Sequence, residues 1–246
     1  IDLIISGAWI PKELPEYVKD TNTKIAPIVS SLRCCKLIVK HWINKYNYVP
    51  DMIVIEGPEA GGHLGFKNEE LTEENKPKLE EITKDIVNYI NEIKEETGKE
   101  IPVISAGGIW DRQDIQKFLD LGASGVQMAT RFVATHECDA SDEFKQAYIN
   151  AKKEDIKIIK SPVGMPGRAI RNEFIKTTEK AKEKITKCYG CIKTCDLTST
   201  PYCITKALIN AVKGNVNEAL IFCGSNVDKI KEIVSVKDLM QELTCD

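Results

Sequence analysis

Residues 51–66 read Asp51-Met-Ile-Val-Ile-Glu56-Gly-Pro-Glu59-Ala-Gly61-Gly62-His63-Leu-Gly65-Phe66. A short apolar run, the strand candidate Asp51–Glu56, breaks directly into a glycine-rich loop. That loop carries one of only three histidines in the chain. Glycine lets backbone approach a ligand closely, and an imidazole titrates near neutrality. A histidine in such a loop is what a flavin or phosphate site with an acid/base group would need.

Outward from this segment, apolar runs bounded by turn residues alternate with helical patterns. Asp2–Ser6, Lys24–Val29, Asp51–Glu56, Pro102–Ala106 and Gly125–Met128 read as strands. Pro11–Asp20, Cys34–Tyr46, Leu71–Thr97 and Asp111–Leu121 read as the helices between them. The third helix repeats apolar residues at Ile82, Ile86, Tyr89, Ile90 and Ile93, one face of an amphipathic helix. Strands alternating with helices imply a parallel sheet, either open and doubly wound or closed as a barrel. The turn chemistry separates the two. Ser6-Gly7, Ser30-Ser31, Glu56–Gly65, Gly107-Gly108 and Ala129-Thr130 all follow strand C-termini. That distribution suits the rim of a (β/α)8 barrel, whose phosphate site follows its last two strands. An open sheet concentrates its ligand loops at one switch point. The expected fold is therefore an α/β TIM barrel represented by its last five units. The chain opens Ile1-Asp-Leu-Ile-Ile5 inside a strand pattern and without Met, and it reads as a fragment whose beginning is missing.

Beyond Phe132 the texture changes. His136–Glu154 is polar and helical in pattern, Lys160–Asn172 reads as a loop with two prolines and two glycines, and Glu173–Lys187 reads as a lysine-rich helix. Further helices are expected near Ile204–Lys213 and Val236–Leu243. The domain reading is a barrel part over 1–175 and a helical, cysteine-containing extension over 176–246.

The chain has 246 residues, 29% of them charged, and a formal net charge of −3. Nothing in that balance favours nucleic acid or an anionic membrane as a partner. No run has the apolar length of a transmembrane helix, and no signal peptide precedes the first strand. Nine cysteines without a secretion signal favour a reducing cytoplasm over a disulfide framework. Arginine is scarce, which draws attention to Arg168 and Arg171, although solvated surface is their default reading.

Gly107-Gly108 and Ala129-Thr130 can present backbone N–H groups to an anion, with neighbouring helix starts adding a favourable dipole. Arg131 either reinforces that cradle or caps the strand. His41 and His136 lie on or beside helices and keep a structural reading. Glu56 and Glu59 either orient His63 and contact a cofactor or serve as turn caps. Gln127 either touches a cofactor edge or fills a polar rim position.

Three ordered motifs carry a family resemblance: Glu-Ala-Gly-Gly-His at 59–63, Pro-Val-Ile-Ser-Ala-Gly-Gly-Ile at 102–109, and Gly-Val-Gln-Met-Ala-Thr-Arg-Phe at 125–132. Together they resemble the nitronate monooxygenase (2-nitropropane dioxygenase) family, which includes enoyl-acyl carrier protein reductases of the same fold. Ser161-Pro162, Gly167-Arg168 and Arg171-Asn172 are similar to the segment after that family's last barrel strand. The resemblance covers roughly residues 1–175. It implies a TIM barrel holding FMN noncovalently, with His63 as the catalytic acid/base. Glu56, Gly61, Gly62, Gly107, Gly108, Gln127, Met128, Ala129 and Thr130 would contact the flavin. Glu56 stands where many relatives have Gln, which alters polarity near the flavin; Ala129 stands where many have Gly, and keeps its N–H. The family's early flavin loops are absent from this sequence, so the fragment alone is expected to bind FMN poorly.

The implied reaction is oxidation of an alkyl nitronate by FMN and dioxygen to a carbonyl compound and nitrite. One rival is NAD(P)H-dependent reduction of an enoyl thioester. Another is a flavin- or metal-binding module without turnover. Cys188, Cys191, Cys195 and Cys203, spaced by two, three and seven residues, could ligate zinc or an iron–sulfur cluster, or be free thiols in a packed tail.

Overall fold

The computed structural model describes residues 1–193 and 195–245. In chain order its elements begin β1 (Leu3–Ser6), α1 (Leu14–Val18), β2 (Lys24–Val29), α2 (Leu32–Tyr46), β3 (Ile53–Glu56), β4 (Gly62–His63), α3 (Leu79–Thr97), β5 (Val103–Ala106), α4 (Arg112–Asp120) and β6 (Gly125–Gln127). They continue with α5 (Thr130–Val133), α6 (Asp142–Ile149), β7 (Ile156–Lys160), β8 (Pro166–Ile170), α7 (Glu173–Lys180), α8 (Ile204–Val212) and α9 (Val236–Thr244). The chain divides into two compact units. The first holds Ile1–Pro58 and Gly65–Met128, and the second holds Glu59–Leu64 and the chain from Ala129 onward. That division falls earlier than the boundary at residue 175 drawn from the sequence.

In the first unit, β1-β2-β3-β5-β6 form one parallel sheet in that order, with helices as the crossovers. Among the described residues the sheet stays open, with β1 and β6 as its edges. The edge is visible in burial: β1 alternates exposed and half-buried positions, whereas Ile53, Val54 and Ile55 of the central β3 are all buried. A central parallel strand is covered on both faces, which is why Ile53, Val54 and Ile55 run apolar without alternation. Against it pack Cys35, Ile38, Val39 and Trp42 of α2 and Ile86, Tyr89, Ile90 and Ile93 of α3. Each such side chain contributes roughly 1.5–3 kcal/mol by leaving water. Trp42 is fully buried, and its indole N–H donates to the Pro11 carbonyl at 3.0 Å. The one buried hydroxyl pair between α3 and β5, Thr83 and Ser105, is mutually bonded at 2.9 Å.

Helix boundaries follow local chemistry. Ser31 caps α2, its hydroxyl accepting from the Cys34 N–H at 3.2 Å. The helix expected from Leu71 begins instead at Leu79, because Pro77 disfavours helical backbone at the residue before it. A 3-10 turn at Asn68–Leu71 is all that forms upstream. Gly98, with φ of 72°, ends α3 in the left-handed conformation and donates to the Lys94 carbonyl.

The second unit is built on a small antiparallel sheet, β4-β8-β7. This corrects the loop expected at Lys160–Asn172: residues 156–170 form a hairpin, with Pro166 tolerated because it opens its strand. Ile159, Ala169, Phe174, Ile175, Tyr202 and Leu220 are the centre of its core. Asn172 caps α7 by accepting from the Ile175 N–H, while its amide donates to the Val216 and Ala219 carbonyls at 2.6 and 2.8 Å. The lysine-rich helix expected to reach Lys187 stops at Lys180. Glu183 N–H instead donates to the Pro201 carbonyl at 2.8 Å, and clustered lysines give a helix little reason to continue.

Candidate active site

In the first unit, the strand ends form an ordered row. The register sets Glu56 abreast of Ala106 and Ala106 abreast of Gln127. Gly107 and Gly108 follow directly, with φ of 101° and 84°, a region that residues with a Cβ resist. Gln127 is exposed at the end of β6, and Met128 packs partly into the core. The row therefore brings together Glu56, Gly107, Gly108 and Gln127 at one edge of the sheet. The start of α4 beside it is already answered by a carboxylate, since Asp111 accepts from the Asp114 N–H at 2.9 Å.

Glu56 is the electrostatically unusual member. Burial pushes its carboxyl up from 4.5 to about 7, against the Gly65 N–H, which donates to it at 3.2 Å and favours the charged form. A Cβ on Gly65 would lie 2.1 Å from the Ser30 hydroxyl, which would have to turn aside to admit it.

In the second unit, His63 lies on the two-residue strand β4, paired Gly62 to Arg168 and His63 to Gly167. The Leu64 N–H extends the pairing by donating to the Pro166 carbonyl at 2.9 Å. The buried Arg168 guanidinium donates to the Ala60 carbonyl, bracing the same loop. Arg168 is therefore structural, and Arg171 pairs with Glu179 on α7 at 2.7 Å.

His63 Nε2 stands 2.7 Å from the hydroxyl of Ser161, which is buried. Ser161 is itself fixed by a tight turn: its N–H donates to the Met165 carbonyl, and its carbonyl accepts from the Gly164 N–H. The imidazole also meets the Phe222 ring edge-on, with centroids 4.9 Å apart, and Tyr148 donates its hydroxyl to the Phe222 carbonyl. Half-buried among these groups, His63 is held below its ordinary 6.5 by desolvation. The result is an oriented imidazole that is neutral at pH 7 and able to take a proton.

The other expected contacts in this unit have structural duties as well. A Cβ on Gly61 would sit 2.6 Å from the Cys223 carbonyl carbon, so this glycine permits two backbones to touch. The Thr130 hydroxyl accepts from the Gly224 N–H at 3.0 Å, which leaves its own hydrogen to donate. Arg131 grips Glu242 through two bonds of 2.7 and 2.6 Å. Glu59 offers its carbonyl to the Ser225 N–H at 3.2 Å. Ser161 and Phe222 were missed as site residues. Ser161-Pro162 was visible as a motif, but its hydroxyl's partner lies 98 positions away.

The four tail cysteines are free thiols, with Cys188 and Cys191 exposed and Cys195 and Cys203 half-buried. Among the described residues, no three His, Cys, Asp or Glu side chains stand ready to hold a metal ion. The thiols are nonetheless neighbours: desolvation, then the charges of Cys191, Cys188 and Cys203, push Cys195 up.

The sequence matches the nitronate monooxygenase family over residues 3–246. The chain belongs to that family. A Staphylococcus saprophyticus protein named "Probable nitronate monooxygenase" is 36% identical over 127 residues, 51% of this chain and 33% of the relative. A Staphylococcus aureus protein of the same name is 34% identical over 167 residues, 68% of this chain and 42% of the relative. The chain thus matches less than half the length of these relatives. FabK from Thermotoga maritima superposes with a TM-score of 0.72 at 23% identity, covering 99% of this chain and 67% of that one. A nitroalkane oxidase from Streptomyces ansochromogenes gives a TM-score of 0.67 at 19% identity, covering 99% and 63%. The likeness to these structures is one of fold, and it supports the TIM-barrel class expected from the sequence, here with the sheet open. Among the described residues no helix is long and apolar enough to cross a membrane.

Proposed function

We propose that this chain is the flavin-holding and proton-transferring part of a cytoplasmic enzyme that oxidises alkyl nitronates with dioxygen to a carbonyl compound and nitrite. The observation that carries the reading is the His63–Ser161 pair, 2.7 Å apart, within a nitronate monooxygenase sequence. In the neutral tautomer that donates Nε2–H to the Ser161 hydroxyl, Nδ1 carries the lone pair that can take a proton from a carbon acid. His63 would take the proton from carbon beside the nitro group of a neutral nitroalkane, and position the substrate when the nitronate itself is supplied.

The residues of the first unit that would hold FMN are Glu56, Gly107, Gly108, Gln127 and Met128. The strand-end row suits such a group on its own chemistry. Two consecutive glycines in left-handed backbone present amides with no Cβ in the way. Gln127 offers both a donor and an acceptor. Glu56, half protonated near neutrality, can donate a hydrogen bond where an ordinary carboxylate only accepts. When bound, FMN would supply the electron transfer, and the protein's part is orientation and electrostatics.

The test uses the full-length protein with propionate 3-nitronate, following nitrite release and O2 uptake. Nitrite formed with oxygen consumption is the expected result. NADH oxidation with crotonyl-CoA and no nitrite would replace this reading with an enoyl-thioester reductase. Flavin binding without either activity would leave a non-catalytic module.

A further inference from the structure

We propose that Cys188, Cys191, Cys195 and Cys203 form a thiolate metal centre, taking a soft divalent ion such as zinc or an iron–sulfur cluster. The four cysteines line a single cavity of about 50 Å³ in the second unit, together with Ile185, Ile192, Leu197 and Tyr202. Four cysteines around one small, mostly apolar space supply the donor set these metals select.

The backbone of the first pair is shaped for the purpose. In Cys188-Tyr189-Gly190-Cys191, Gly190 has φ of 62° and its N–H donates to the Cys188 sulfur at 3.4 Å. That turn sets the two cysteines three residues apart, and an amide donated to sulfur steadies the charge a metal-bound thiolate carries. Cys195 follows on its own turn, its N–H donating to the Ile192 carbonyl at 3.2 Å.

The surrounding stretch gives a second, independent reason. From residue 181 to 203 the described chain holds no helix or strand, although it lies inside a compact unit. A long irregular stretch in such a setting calls for another organiser. Its two arms are tied at their base: Glu183 N–H donates to the Pro201 carbonyl at 2.8 Å, and the Lys182 ammonium donates to the Thr198 carbonyl at 3.0 Å. Cys188, Cys191 and Cys195 lie between those ties, and Cys203 follows just beyond them. As placed, the thiols surround the cavity without converging to ligand distance, so binding would draw them inward and complete the fold locally.

The charge balance is straightforward. A divalent ion plus four thiols gives a tetrathiolate complex of charge −2 and four released protons. Residues 182–196 carry Lys182, Lys184, Lys187 and Lys193 against Glu183 and Asp196, an excess of two positive charges that offsets the complex.

The full-length protein, purified without oxygen, should contain stoichiometric zinc, or iron with matching inorganic sulfide; the metal analysis distinguishes the two. Cys191→Ser should lose the metal, and Cys138→Ser, altering a cysteine outside the cavity, should keep it. Cobalt added to metal-stripped wild type should give thiolate-to-metal charge-transfer absorption, a readout that depends on no variant folding. Bound metal should also protect residues 181–203 from proteolysis. The idea is overturned if wild type holds no stoichiometric metal after anaerobic reconstitution with zinc or with iron and sulfide. It is equally overturned if metal persists when all four cysteines are serine. Neither result bears on nitronate turnover, so this centre and the flavin reading stand or fall separately.

Discussion

The two units position their candidate site residues by different means. In the first, Glu56, Gly107, Gly108 and Gln127 are set by a regular parallel sheet, where register alone puts strand ends abreast. In the second, His63 is set by a two-residue strand, a serine on a tight turn and a ring edge, each a single contact. A sheet edge is redundant and tolerates small losses. A residue held by single contacts concentrates function at a few atoms, and substitutions there should be felt more sharply.

The largest expected effect is on His63. His63→Ala in the full-length protein should lower nitroalkane turnover by about 10²–10⁴-fold, the usual contribution of a general base, without loss of flavin absorbance. Steady-state nitrite assays check it, and unchanged turnover would remove the histidine from the mechanism.

Next come the paired glycines. Gly61→Ala pushes a Cβ to 2.6 Å from backbone, which cannot yield, and should cost about 1–3 kcal/mol in urea unfolding. Gly65→Ala meets the Ser30 hydroxyl at 2.1 Å, which can rotate away, and should cost less. Equal losses would erase the distinction between a rigid second unit and an accommodating first.

Glu56 tests the row through pH. Its folded carboxyl is raised from 4.5 to about 7, so the folded state favours the proton and its stabilising contribution is complete below 4.5. That contribution is lost as pH rises to about 7 and beyond. Glu56→Gln should match wild type at pH 4 and exceed it at pH 8 by on the order of 2 kcal/mol. Thermal melts across that range would show a flat difference if the carboxyl were ordinary.

The smallest effect is Ser161→Ala. Removing one 2.7 Å hydrogen bond from His63 should cost about 1 kcal/mol, several-fold in turnover, and displace the acidic limb of the pH–rate profile. A loss as large as that of His63→Ala would mean that Ser161 touches the substrate itself.

The same contrast governs what could be read from sequence. The strands of the first unit announce themselves, because buried parallel strands such as Ile53–Glu56 are continuous apolar runs. Their strand-end glycines and Gln127 follow from counting along those runs. The second unit hid its sheet. Pro166-Gly167-Arg168-Ala169-Ile170 has the composition of a loop and becomes a strand only by pairing with β7 on one side and β4 on the other. Ser161 belongs to that hidden hairpin, so its bond to His63 is a tertiary fact with no local signal. The helix starting at Glu173 was legible as a lysine-rich helical stretch, but its early end at Lys180 goes with a bond to the distant Pro201 carbonyl.

The pairing of β4 with β8 also has a consequence in time. His63 leaves the ribosome early, yet the strand and the serine that orient it are about a hundred residues downstream. Closing so wide a loop is slow relative to forming local structure, so the glycine-edged sheet can assemble while the histidine waits. Nascent chains released before residue 170 would then carry the row from Glu56 to Gln127 without the partners that orient His63. Such chains would give an early check on whether the two functions mature separately.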